Sequence, residues 1–220
     1  MCLPQLKQLN LRYIRIGDVK FVNRLLSSCP VLESLLLRDI EADNEDGVGV
    51  DIKCSQLKHL KMVNNYRTAC NVAKTVKLST PVLKSFVCTD YMIQKYSPGN
   101  LSSLVTASID MIATHEIGEQ LYPERMLKFL LAVHNVEELT LLSDVFQSNV
   151  AEDGEVGLLP CGLSRLKYVE IRGMEGCDNE LKFLELVLKE AAVLEEMDLC
   201  FSNPEGSPGA TVRIRASNSK

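Results

Sequence analysis

The chain has 220 residues, eight cysteines and a formal net charge of -5, with 46% hydrophobic residues. That is enough apolar content for a packed core, and the acidic balance gives no drive toward nucleic acid or an anionic membrane surface. No apolar run approaches the roughly 18 residues of a membrane span, and "MCLPQLKQLNLRY" has neither a charged leader nor a continuous apolar stretch, so an intracellular location, cytoplasm or nucleus, is expected.

In chain order, the first element is the phrase Leu6/Leu9/Leu11, apolar residues at offsets of three and five from a leading leucine. It returns as Leu32/Leu35/Leu37, Leu57/Leu60/Met62, Leu83/Phe86/Cys88, Leu104/Ala107/Ile109, Val136/Leu139/Leu141, Leu166/Val169/Ile171 and Leu194/Met197/Leu199. The steps between leading residues are 26, 25, 26, 21, 32, 30 and 28. One such phrase is weak in a leucine-rich chain, but a common period carries weight, since L-x-x-L-x-L is the strand segment of a leucine-rich repeat of about 20 to 29 residues. The expected fold class is α/β: a solenoid of about eight irregular repeats, with a parallel sheet on the concave face and helices and loops on the convex face.

Between the phrases, three returns read as helices. "DVKFVNRLLSSC" opens on the capping residue Asp18, carries Val19, Val22, Leu25 and Leu26 on one face, and ends at Pro30. "PERMLKFLLAVHNV" places Pro123 first, with Met126, Leu127, Leu130 and Leu131 apolar. "DNELKFLELVLKEAAV" has Leu181, Leu184, Leu188 and Ala191 on one face. Segments 41–52, 64–79 and 143–160 hold Gly, Asn, Asp and Ser without helical period and are expected to be loops. The Pro/Gly/Ser-rich stretch after Phe201 reads as a poorly ordered tail.

Chemistry-bearing patterns are sparse. The cysteines have no C-x-x-C or Cys/His spacing and read as reduced, mostly buried thiols, so no metal is expected. His59, His115 and His134 fall in different repeats, and His134 reads as a helix C-terminal residue. No phosphate-binding glycine motif occurs, so no cofactor is expected. "EADNEDGVGVD" faintly resembles a calcium loop but lacks the closing glutamate, and reads as a solvated loop.

Residues alternating with the buried ones should face outward and form the binding surface. Of these, Arg12, Arg38, His59, Lys61, Asp110, Glu138, Tyr168, Glu170, Arg172, Glu196 and Asp198 are the candidate protein-binding positions. They suggest a dipolar face, basic in the first repeats and acidic in the later ones, which would steer and orient a partner. Tyr168, beside Glu170 and Arg172, is the best single anchor; the alternative is that it packs against the last helix.

The phrase "LLSSCPVLESLLL" resembles the repeats of plant F-box proteins. "LSRLKYVEIRGMEGCDNELKFLELVLKEAAVLEEMDL", residues 163–199, resembles the FBD module that follows the repeats in one subclass of them. The division expected is leucine-rich repeats over 1–160, an FBD-like cap over 161–201 continuous with the solenoid, and a flexible tail over 202–220. The family pattern runs on past that point into a further helix and an arginine-containing strand, where this sequence reads as frayed. The resemblance implies no enzymatic activity but a substrate adaptor of an SCF-type ubiquitin ligase, binding a protein on the concave face. It implies a Skp-type adaptor as partner only if an F-box lies upstream, and neither nucleic acid nor membrane is expected. The competing reading is a free-standing interaction scaffold. An immune-type receptor fits less well, because its repeats keep a period near the low twenties.

Overall fold

The structure, a computed structural model, describes residues 3–16, 18–42, 49–64, 75–91, 95–99, 101–112, 130–142, 163–203 and 208–216. The eight phrases open eight strands: β1 (Gln8–Ile16), β2 (Ser34–Ala42), β4 (His59–Val63), β6 (Ser85–Tyr91), β8 (Thr106–Ile112), β9 (Glu138–Leu142), β10 (Tyr168–Met174) and β11 (Glu196–Ser202). All eight lie side by side in one sheet, parallel at every step. The register matches phrase to phrase: Leu9, Leu35, Leu60, Phe86, Ala107, Leu139, Val169 and Met197 form one continuous row.

Backbone chemistry explains why register cannot drift. The carbonyl of the residue after each leading leucine accepts two N–H groups from the next phrase. Glu33 and Ser34 donate to Lys7, Lys58 and His59 to Glu33, Lys84 and Ser85 to Lys58, and the pattern continues to Glu195 and Glu196 on Lys167. Each leading residue also closes a turn by donating its N–H to the carbonyl three places earlier, as Leu32 does to Cys29 and Leu57 to Cys54. Pro4, Pro30 and Pro81 occupy the second place of these turns, where a fixed φ favours them.

The turn-opening position escaped the sequence pattern. Cys29, Cys54, Thr80, Leu101, Val133, Leu163 and Ala191 fill it, and all are buried. Burial pushes the Cys54 thiol up to about 11, with the neighbouring Cys29 adding to the effect. The leading residues Leu32, Leu57, Leu83, Val136 and Leu166 are fully buried beside them.

Seven places after the leading leucine, Tyr13, Asp39 and Gly173 take φ values of 54°, 49° and 77°. This left-handed residue is a bulge that turns the next side chain, Ile14, Ile40 or Met174, back toward the core. In β10 it costs a register step against β11, while β1 and β2 bulge together and stay paired.

The returns differ from expectation. Helix α1 (Val19–Ser27) forms as expected, with Asp18 accepting from Lys20 N at 2.8 Å and Val19, Val22 and Leu26 buried. Segments expected to be loops instead contain strands β3 (Val50–Lys53) and β5 (Thr75–Ser79), joined by β7 (Lys95–Pro98) in a second parallel sheet. The alternation was present in "VDIK" and "TVKLS", but the glycines and asparagines around it hid it, and Val50, Ile52, Val76 and Leu78 are buried. Gly49 is needed there, because a Cβ would stand 2.2 Å from the Thr75 carbonyl oxygen. Asn23 of α1 finishes the free edge of β3, donating to Gly49 O at 3.0 Å and accepting from Asp51 N at 2.9 Å. The helix expected from Pro123 lies mostly outside the described residues, and residues 43–48 and 143–160 lie outside them entirely.

Helix α2 (Asp178–Glu190) is held by a residue the sequence did not single out. The buried Glu180 carboxylate accepts backbone N–H groups from Glu175, Gly176 and Cys177, the shortest at 2.6 Å. The stretch read as a poorly ordered tail is corrected: β12 (Pro208–Arg215) pairs antiparallel with β11. The period-two pattern of "TVRIR" outweighs the Pro/Gly/Ser composition before it.

Two measurements follow. Leu166→Ala should lose about 2–5 kcal/mol in urea unfolding, against within about 0.5 kcal/mol for the outward Ser108→Ala. Glu180→Gln, which turns an amide NH2 toward backbone donors, should cost about 1–3 kcal/mol in the same assay.

Candidate functional site

The sheet face opposite the core carries three rows of side chains. The first runs Gln8, Ser34, His59, Ser85, Thr106, Glu138, Tyr168, Glu196 and Arg215. The second runs Asn10, Leu36, Lys61, Val87, Ser108, Thr140, Glu170, Asp198 and Arg213. The third has Arg12, Arg38, Val63, Thr89 and Asp110 on the first five strands, and Leu142, Arg172, Cys200 and Thr211 on the last four. All eleven candidate residues therefore share this face, though not equally. Arg12, His59, Lys61, Glu138 and Arg172 are exposed, Arg38, Asp110, Tyr168, Glu170 and Glu196 are half-buried, and Asp198 is buried.

The acidic end is already answered by the chain itself. Arg213 grips Asp198 with two N–H groups, Nε to Oδ1 at 2.8 Å and Nη2 to Oδ2 at 2.7 Å, and reaches Glu196 at 3.1 Å. Arg215 meets the same Glu196 oxygen at 3.3 Å. One strand back, Arg172 forks onto Glu170 through two 2.8 Å contacts. The Tyr168 hydroxyl donates to Asp198 Oδ2 at 3.2 Å. Desolvation first, then the charges of Glu170 and Asp198, push its ionisation up to about 12, so it stays a neutral donor. Tyr168 thus turns to the outer face, its hydroxyl committed to Asp198. Arg213 holds the Asp198 carboxyl below the usual carboxylate range.

Sequence reading missed Arg213 and Arg215, whose alternation in "TVRIR" was the available signal. It also missed a charged ladder at the N-terminal rim of the sheet. Glu33 bridges Lys7 at 3.0 Å and Lys58 at 2.7 Å, which holds its carboxyl down to about 2, and Glu137 bridges Arg165 and Lys167. A polar pocket of about 580 Å3 opens at that rim between Glu137, Glu138, Tyr168, Glu195, Glu196 and Arg215.

His134 has both ring nitrogens engaged locally, Nδ1 with Leu131 O and Nε2 with Asn135. Among the described residues, no three His, Cys, Asp or Glu side chains converge as a metal site, and no helix is long and apolar enough to cross a membrane. Cys29, Cys54, Cys88, Cys177 and Cys200 are all free thiols.

Repeated phrases in register on a parallel sheet define a leucine-rich-repeat chain. The comparisons with known proteins narrow the class. Residues 1–108 match the model described as "FBD-associated F-box protein At5g56370, LRR repeats", and residues 155–199 match the FBD model. The chain is 34% identical to putative F-box/LRR-repeat protein At3g44810 of Arabidopsis thaliana, over 64% of this chain and 31% of that one. It is 24% identical to putative FBD-associated F-box protein At5g53635 over 90% and 45%, and 22% identical to F-box/FBD/LRR-repeat protein At1g78750 over 91% and 56%, both also of Arabidopsis thaliana. Over these two stretches the chain is similar to the plant F-box/LRR/FBD proteins, and it spans only part of the length of these relatives. No solved structure matches.

The Arg213 to Asp198 link makes β12 sensitive to acid. A carboxyl depressed in the folded state stabilises above its unfolded value, near 3.9, and loses that contribution as pH falls through the folded value. Amide protection across Thr211–Arg215 should therefore drop as the pH falls below about 4. In Asp198→Asn the drop should be gone and protection already low at pH 6, as read by hydrogen exchange.

Proposed function

We propose that this chain is the substrate-recognition part of an F-box-type adaptor of an SCF ubiquitin ligase, acting by binding a protein rather than by catalysis. The observation that carries the reading is the outer face: across eight phrases the residues between the leucines sit in two continuous rows, with a third on the strands to either side of the β8–β9 step. Such rows suit recognition of a protein surface and need no pocket for a small substrate. The F-box names of the relatives support the ligase connection.

In this proposal the eight phrases are eight irregular repeats of a solenoid whose concave side is the outer face. Repeats over 1–160 pass into the FBD-like cap at 161–201, and the direct pairing of β9 with β10 supports treating the two as one body. The protein works inside the cell, in cytoplasm or nucleus, where such ligases act. A Skp-type adaptor would dock on an F-box, leaving the outer face to the substrate.

The test is affinity capture with the full-length gene product. Recovery of a Skp-type adaptor together with ubiquitin-ligase subunits is the expected outcome. Reproducible absence of the adaptor would remove the ligase reading.

A further inference from the structure

We propose that the corner of the outer face formed by Arg12, Arg38 and Lys61 docks an acidic, extended segment of a partner protein. This rests on the recognition role above and gives the partner its chemistry. Arg12 and Arg38 are register partners on neighbouring strands, and Lys61, on the third strand, stands opposite Leu36. At a strand spacing of about 4.8 Å the three cations span roughly 10 Å across the sheet, within reach of one short peptide.

The corner differs from the rest of the face in having its charge unanswered. Arg172, Arg213 and Arg215 are matched by Glu170, Asp198 and Glu196, so the acidic pole suggested by the sequence is cancelled by the chain itself. Among the described residues, Arg12, Arg38 and Lys61 form no ion pair or side-chain hydrogen bond. The face therefore keeps a positive corner on β1, β2 and β4 of a chain of net charge -5, while Glu138, an exposed acid without an ion pair among the described residues, stands on β9, three strands beyond β4. A cationic corner selects an anionic partner and raises its encounter rate.

Two details narrow the occupant further. Arg38 is half-buried and its Nε–H is out of water with no acceptor, which marks a place for a carboxylate. Leu36 and Val87 flank Lys61 in its row, both half-buried, and Val63 beside Arg38 is nearly closed off. A floor that alternates cations with apolar side chains fits a peptide strand alternating carboxylates with apolar residues.

The experiment is fluorescence anisotropy with the full 220-residue chain and three short labelled probes: a peptide of alternating Glu and Val, one of alternating Lys and Val, and single-stranded DNA of the same charge as the first. Saturable binding of the Glu peptide is expected, weakening with salt. The triple reversal Arg12→Glu, Arg38→Glu, Lys61→Glu should weaken it by roughly tenfold or more. Arg38→Gln, which keeps the packing, should weaken it by a smaller factor with an unchanged melting curve. No saturable binding, equal binding of the Lys peptide or the DNA, or a triple variant that melts normally and binds as before would overturn the proposal. Adaptor capture by the full-length product is independent: it should survive the triple reversal, and its failure would leave the peptide result standing.

Discussion

The carbonyl oxygen of the residue after each leading leucine is the point on which the fold turns. It accepts two N–H groups from the next phrase, at Lys7, Glu33, Lys58, Lys84, Val105, Glu137 and Lys167 in succession. A side-chain pattern of period two would be equally content two residues out of step, so leucines alone do not fix pairing. The shared carbonyl does, because a slipped strand would leave buried donors without acceptors. Once that step is set, the leucines stack, the turn-opening residues align, and the polar residues between them fall into rows. The functional surface is thus a by-product of how the core is built.

That surface is also edited by the chain. An antiparallel strand closing an otherwise parallel sheet brings two arginines opposite acids contributed by β11. The exchange satisfies the buried Asp198 with two charge-assisted hydrogen bonds, a strong arrangement for a carboxylate held out of water. It removes from the face most of what would have attracted a cationic partner. What remains to discriminate partners is concentrated on the first three strands, far from the family-specific FBD stretch.

The phrase spacing made the strands, their order and their inward residues legible, down to Leu60 facing Phe86, because a strict local pattern was repeated. Side chains at rest on the outer face were legible too, since alternation assigns them. Pairing among them was not. Which cation meets Asp198 or Glu196 depends on β12, and its neighbour composition read as disorder. The second sheet was hidden for a related reason: β3 and β5 are four and five residues long, too short for their alternation to stand out against flanking glycine and asparagine. Glu180 escaped because an acid near a helix start is commonplace, and only the fold aims it back at three backbone amides.

The turn-opening row has a chemical consequence of its own. Cys29 and Cys54 occupy it in consecutive phrases, both shut away from solvent, and burial keeps the Cys54 thiol protonated far above neutral pH. A thiol so held is a poor nucleophile, inert to alkylating agents and oxidants while the phrases stay stacked. Prising two neighbouring strands apart would hydrate both sulfurs together. The chain thereby contains a built-in label for the integrity of its second and third turns, silent in the assembled sheet and reactive once the stack opens.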